Sequence, residues 1–360
     1  MKRIIVYAIT EQKGGIENFF INYNRELQSI HLDFIKLTAK ELSYQVELCT
    51  DENKFIYVPF GKQYQKSRNK RLKEIFLKGN YDALWFNSND LASIDVIKLA
   101  KRCGIKYIIC HAHNSHASRI DRTLRHIINR RTVSRLFDAE FACSKIAAEW
   151  FYGKINKAFV VDNAINVLKF RYDEEIRNKI REKYDVPKNA IIIGNVGRLV
   201  QQKNQIYLIE VFSEYQKRNR NSYLMIVGDG ELKKQLRNKT NELKVSEHVI
   251  FTGEVANVNE MMSAFDVFLM PSLYEGLPVT LVEAQASGLH CLVSSRITKE
   301  VDVTGNIEYL DIGQKSIPIW VNAIKMSQDR EKYGNIVLKS KYDIHTSTRR
   351  LENELLKVIK

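Results

Sequence analysis

The chain alternates short β-rich runs with amphipathic stretches, and it does so twice. In the first half, residues 3–9, 46–48, 83–86, 107–111, 140–142 and 158–161 read as strands, with helical stretches such as 16–28, 93–103 and 145–151 between them. A second series opens at 191–196 and continues through 223–227, 249–252, 267–270, 290–294 and 307–309. Parallel strands need a long crossover, usually a helix, so this alternation predicts doubly wound α/β layers. Each series has the length of an ordinary domain. The predicted division is 1–168 and 169–344, with the charged segment 171–184, closed by Asp185-Val186-Pro187, near the join. The last stretch places Leu351, Leu355, Leu356 and Ile359 on one helical face, which predicts that 345–360 packs back on the first domain.

Composition limits the class of protein. At 44% apolar and 27% charged the chain reads as soluble and globular. The opening Met-Lys-Arg-Ile-Ile-Val-Tyr-Ala-Ile-Thr is too short in apolar length for a signal peptide, and no run approaches the roughly 20 apolar residues of a membrane helix. Cys49, Cys103, Cys110, Cys143 and Cys291 have no metal or disulfide spacing, so they read as reduced thiols of a cytoplasmic protein. The net charge of +14 is unevenly placed: from 62 to 78 seven bases stand against Glu74, and from 119 to 135 six arginines stand against Asp121. Such runs are ordinarily solvated surface, but two in one half point to an anionic partner, either a membrane leaflet, a lipid phosphate or nucleic acid. Nucleic-acid binding predicts aromatic residues among the bases. The arginine stretch instead carries Leu124, Ile127, Ile128 and Leu136, a stripe suited to core packing or a lipid interface.

Candidate chemistry sits after the strands. Between Glu275 and Glu283 the chain reads Glu-Gly-Leu-Pro-Val-Thr-Leu-Val-Glu. Pro278 suits the first turn of a helix, whose free N–H groups around Gly276, Leu277 and Thr280 form a cradle for a diphosphate. The flanking carboxylates can accept hydrogen bonds from hydroxyls. After 191–196 comes Gly197-Arg198-Leu199-Val200-Gln201-Gln202-Lys203-Asn204, where a guanidinium fork and an ammonium can neutralise phosphate charge without a metal. Gly228-Asp229-Gly230 and Gly14-Gly15 are loops that let a ligand approach the backbone, although both are also common turns. In Cys110-His111-Ala112-His113-Asn114-Ser115-His116 no complementary ligand set completes a metal site. His111 reads as a satisfied buried histidine, and His113 with Asn114 as a polar group for a sugar hydroxyl.

Together these residues resemble the retaining GT-B glycosyltransferases of family 4, the glycosyl transferases group 1. The likeness is carried by Glu275 and Glu283, Gly197-Arg198-Leu199 with Gln202-Lys203-Asn204, Gly228-Asp229-Gly230 and Gly14-Gly15, and is densest over 191–295. His111-Ala112-His113-Asn114 is similar to the exopolysaccharide and capsule branch. The resemblance implies two Rossmann-like domains facing across a cleft, acceptor bound by the first and nucleotide-sugar donor, UDP-linked in this reading, by the second. It implies that Arg198 and Lys203 hold the diphosphate, that Glu283 binds ribose and that Glu275, with Gly276 and Leu277, binds the donor sugar. His113 is implied near the anomeric carbon and Gly15 near phosphate or acceptor, with Gly197 and Gly228 lining the nucleotide. No cofactor or metal is implied. The implied partners are the donor and a saccharide or polyprenyl-diphosphate-linked acceptor, at the inner face of the cell membrane. Asn163-Ala164-Ile165-Asn166 departs from the family's Asn-Gly-Ile-Asp. Competing readings are a pyridoxal-dependent phosphorylase, for which no signature is present, and an inactive scaffold that binds nucleic acid or membrane.

Overall fold

The computed structural model describes residues 1–50, 52–113, 120–153, 157–275 and 277–360, which form two compact units. The first comprises Met1–Ala164 and Ile344–Lys360; the second is Ile165–Asp343.

The first unit is built on β1 (Lys2–Ile9), β2 (Ile30–Lys36), β3 (Phe55–Tyr57), β4 (Ala83–Ser88), β5 (Tyr107–Ala112), β6 (Ala139–Ala142) and β7 (Phe159–Val160). They form one parallel sheet in the order β3-β2-β1-β4-β5-β6-β7, with Ile4 level with Leu32 on one side and Ala83 on the other. Parallel strands are buried on both faces, which is why β1 can be apolar at consecutive positions: Ile4, Ile5 and Val6 are all fully enclosed. Ile5, Leu84 and Ile108 face one core, packed by Leu72, Ile97, Val133 and Phe151 from the overlying helices. Ile4, Val6 and Trp85 face the other, packed by Phe19 and Phe20 and by Leu351 and Leu355 of the carboxy-terminal helix Ile344–Val358. Tyr23 fastens that helix, its hydroxyl lying 2.6 Å from both the Asp162 carbonyl and the Ser347 hydroxyl.

Two expectations fail here. Residues 46–48 belong to a short helix, Gln45–Leu48, and the second strand is Ile30–Lys36. Its polar His31 and Asp33 disguise it. Asp33 is fully buried, yet it receives hydrogen bonds from the Lys54 N–H, the Tyr81 hydroxyl and the Arg3 guanidinium at 2.8–2.9 Å. Burial alone would raise its pKa; these bonds and one from His31 outweigh that and hold the carboxyl below its ordinary value.

The second unit carries β8 (Ile191–Val196), β9 (Ser222–Val227), β10 (Val249–Gly253), β11 (Val267–Met270), β12 (His290–Ser294) and β13 (Ile307–Leu310). They form a parallel sheet in the order β10-β9-β8-β11-β12-β13. The charged 171–184 segment is mostly a helix of this unit, Glu174–Lys183. Arg181 is fully buried and meets Asp266 at 2.6 Å, Arg177 meets the other oxygen at 2.7 Å, and Asp266 also accepts from the Ile192 N–H. Charge density here marks a buried network and not a linker. Among the described residues no helix is long and apolar enough to cross a membrane.

Candidate functional site

Strand order reverses once in each sheet, between β1 and β4 and between β8 and β11. Open α/β sheets bind ligands in the crevice outside the carboxyl ends of the strands at this switch point.

In the second unit the two connections that flank the crevice are the Gly197–Asn204 loop after β8 and the Pro271–Pro278 segment after β11. Hydrogen bonds stitch them together. The Leu273 N–H donates to the Gln202 carbonyl at 2.8 Å, the Asn204 amide to the Pro271 carbonyl at 3.1 Å, and the Gln202 amide to the Tyr274 carbonyl at 2.9 Å. Lys203 Nζ lies 2.6 Å from Glu275 Oε1, with side chains only 19% and 9% exposed. The expected phosphate cation and the expected sugar-binding carboxylate therefore neutralise one another across the crevice. Arg198 is exposed and has no ion-pair partner among the described residues; its carbonyl accepts from Gln205 Nε2 at 3.0 Å. Arg198 thus brings to this loop a guanidinium that no carboxylate among the described residues cancels.

Glu283 lies in the helix Val279–Ala286, which Pro278 caps from one position before its first residue. Its carboxyl has no hydrogen-bond or ion-pair partner among the described residues, and burial pushes its pKa up to about 7. Leu277 is half-buried against the core of this unit. Gly276 lies outside the described residues. Gly228 has a reason in the packing to be glycine. At φ +131° it runs so close to the neighbouring loop that a Cβ would stand 2.2 Å from the Gly197 carbonyl oxygen. The close approach is backbone on backbone. At Gly197 the nearest atoms to an added Cβ belong to Lys203, at 3.3 Å, so this glycine leaves room for the lysine stem.

The first unit's switch point has another character. Gly14 caps the helix Gly15–Asn24, and Gly15 is its exposed first residue. The carboxylate of Glu17 turns back to accept from the Gly14 N–H, the Thr10 N–H and the Thr10 hydroxyl, each at 3.0 Å. The protein's own anion thus occupies part of this helix start. At the end of β5, His113 Nε2 lies 2.9 Å from Asn87 Oδ1, and burial pushes the His113 pKa down to about 3. His111 is not the satisfied buried histidine expected: it is fully buried, neither ring nitrogen has a hydrogen-bond partner among the described residues, and its ring centroid lies 4.0 Å from that of His113. Burial, with the neighbouring His113, holds its pKa well below the ordinary imidazole value, among the edge-on and tilted rings of Phe19, Trp85 and Phe141. Asn114 and His116 lie outside the described residues.

Of the predicted residues, the structure brings Gly197, Lys203, Gly228 and Glu275 together, with Arg198 on the same loop as Lys203 and Glu283 in the helix that follows the second connection. Gly15 and His113 belong to the first unit. Two residues were missed: Gln205, which anchors the Arg198 backbone, and Asn87, which holds His113. The available signal for Asn87 was an amide inside an otherwise apolar parallel strand.

Residues 176–308, which include all the second-unit candidates, match the family model described as glycosyl transferases group 1. The second unit is a group 1 glycosyl transferase domain. The whole chain is 27% identical over 339 residues to the putative glycosyltransferase EpsF of Bacillus subtilis, covering 90% of this chain and 87% of that protein. It is 26% identical over 283 residues to an Escherichia coli UDP-Gal:alpha-D-GlcNAc-diphosphoundecaprenol alpha-1,3-galactosyltransferase, covering 75% and 72%. Anabaena HepE, solved in complex with UDP, superposes with a TM-score of 0.80 at 15% identity over 99% of this chain and all of that one. The lipopolysaccharide glycosyltransferase WaaG superposes with a TM-score of 0.63 at 13% identity over 99% of each chain. These likenesses show the fold, two Rossmann-like α/β units of the GT-B kind. The group 1 match ends before the carboxy-terminal helix and does not reach His113 or Gly15.

Proposed function

We propose that the protein is a retaining, metal-independent glycosyltransferase of family 4 that moves a sugar from a nucleoside diphosphate, UDP in this reading, to a saccharide. The acceptor is carried on a polyprenyl diphosphate in bacterial surface-polysaccharide synthesis. What supports the reading is the stitched crevice of the group 1 domain, where Lys203 meets Glu275, with Arg198 exposed on the loop after β8 and Glu283 in the helix Val279–Ala286. Arg198 and the open N–H groups at the start of Val279–Ala286 stabilise the departing diphosphate as its bond to the anomeric carbon breaks. Lys203 adds charge while holding Glu275 for the sugar hydroxyls, and Glu283 accepts from the ribose. The acceptor hydroxyl forms the new bond on the face the diphosphate leaves, and a diphosphate oxygen takes its proton. The similarity to a galactosyltransferase with a diphosphoundecaprenol acceptor supports this acceptor class.

A cytoplasmic position against an anionic leaflet belongs to the same reading. The helix Ile120–Val133 exposes Leu124 and Ile128 by 60% and 65%, beside exposed Arg125 and Arg131. Leu136 packs against the core, whereas Leu124, Ile127 and Ile128 are exposed, and their chemistry suits a lipid interface. Sedimentation with anionic vesicles, lost in Leu124→Ser/Ile128→Ser, checks it; unchanged sedimentation refutes it. For the transfer reaction, purified protein is screened against nucleoside-diphosphate sugars, with release of the nucleoside diphosphate as readout. Release from UDP-sugars is expected. Failure of every nucleoside diphosphate to bind or stabilise the protein contradicts the reading.

A further inference from the structure

Asn87 lies near the end of β4, fully enclosed but for a small edge. Its Nδ2 faces two carbonyl oxygens, that of Tyr7 at 3.2 Å and that of Trp85 at 3.4 Å. Carbonyls only accept, so the amide nitrogen belongs on that side and Oδ1 points to His113. An amide oxygen likewise only accepts, and His113 Nε2 at 2.9 Å must carry the hydrogen. A neutral imidazole has one N–H, which leaves Nδ1 as a bare acceptor.

We propose that Asn87 is a positioning residue: it fixes His113 in the Nε2–H tautomer and so presents Nδ1 as a standing hydrogen-bond acceptor to a saccharide hydroxyl at the switch point of the first unit. The surroundings keep the ring neutral. Burial holds its pKa near 3. Its neighbours are His111 on the same strand, itself held neutral by burial, Asn87 on β4 and the Phe19 ring on the Gly15–Asn24 helix. Among the described residues no carboxylate or cation faces the imidazole. A neutral ring with Nε2 committed selects a donor ligand group: a hydroxyl fits, whereas a phosphate or carbonyl oxygen meets a lone pair. His113 then orients the saccharide and supplies no proton. The tautomer rests on geometry alone; its use on a sugar hydroxyl rests on the proposed glycosyl transfer.

The test separates the two. In ¹⁵N-histidine-labelled full-length protein, two-bond ¹H–¹⁵N correlation spectra should show His113 as the Nε2–H tautomer without titration between about pH 5.5 and 8.5. Asn87→Leu should give mixed tautomers, and Asn87→Asp should raise the His113 pKa by more than a unit through the new carboxylate. With a UDP-sugar and acceptor, Asn87→Leu should lose about tenfold in kcat/KM while UDP affinity is unchanged. Circular dichroism confirms folding of each variant. An Nδ1–H tautomer, or a wild-type His113 that titrates in this window, overturns the lock. An intact lock with wild-type kcat/KM in both Asn87 variants overturns the hydroxyl contact. Absence of nucleoside-diphosphate binding in the wild-type protein is instead a failure of the glycosyltransferase reading, since the spectra do not depend on it.

Discussion

The two units share one topology and differ in what they place at the reversal of strand order. In the first, the residues at the strand ends are neutral or already answered: His113 is uncharged and held by Asn87, and Glu17 is saturated by Gly14 and Thr10. In the second, they are charged and incompletely answered: Lys203 and Glu275 cancel each other, Arg198 has no ion-pair partner among the described residues, and burial raises the Glu283 pKa to about 7. The same backbone frame thus presents neutral or already bonded side chains at one reversal and charged ones at the other. The difference lies in a few side chains on the strand-to-helix connections.

The sharpest way to break the comparison is at Lys203. Removing it as Lys203→Ala deletes a cation and also leaves the Glu275 carboxylate, only 9% exposed, facing a diphosphate without its partner. We expect kcat/KM to fall by about 10³-fold, with part of that loss recovered in Lys203→Ala/Glu275→Gln. Loss in the double variant equal to the product of the singles would show the pair to be uncoupled.

Glu283 gives the next largest effect, in stability. Its pKa is raised from 4.5 to about 7 by burial, so the native state favours the protonated form. That stabilisation is complete below the unfolded pKa and is lost as pH rises through the folded one. Between about pH 4.5 and 7 the fold should lose up to about 3 kcal/mol from this group. Glu283→Gln should flatten the dependence of Tm on pH in this range and raise Tm at pH 8, while weakening nucleotide binding. An unchanged Tm profile would contradict the enclosed carboxyl.

Arg198→Ala should reduce kcat/KM by about 10²-fold, with no destabilisation, because the side chain is exposed and unpaired. At the first unit, His113→Ala should cost about tenfold in kcat/KM and leave UDP affinity unaltered. Equal losses of UDP affinity at the two positions would erase the distinction between the units.

Legibility differed in the same way. The second sheet was readable because 223–227 and 267–270 are unbroken apolar runs and 191–196 opens with three isoleucines, each closed by turn residues, as a strand buried on both faces requires. The first sheet hid β2 behind His31 and Asp33, the second of which is buried through partners far along the chain, and a stretch as short as Val46-Glu47-Leu48 cannot distinguish strand from helix. The charges of the second crevice stood out individually, yet the Lys203–Glu275 contact spans 72 positions and depends on β8 and β11 being neighbours. Gly228 was legible as a constrained turn, but only the packing shows how closely the Gly197 backbone approaches it. Asn87 carried the faintest signal, one amide in a buried strand, and its meaning emerges only beside His113.

The central claim is that the group 1 domain's crevice grips the diphosphate through charge, whereas the first unit's does not. Titration calorimetry of UDP against wild type, Arg198→Ala and His113→Ala tests it directly. We expect at least a tenfold loss of affinity for Arg198→Ala and none for His113→Ala. Wild-type affinity in Arg198→Ala, or a loss confined to His113→Ala, would contradict the account.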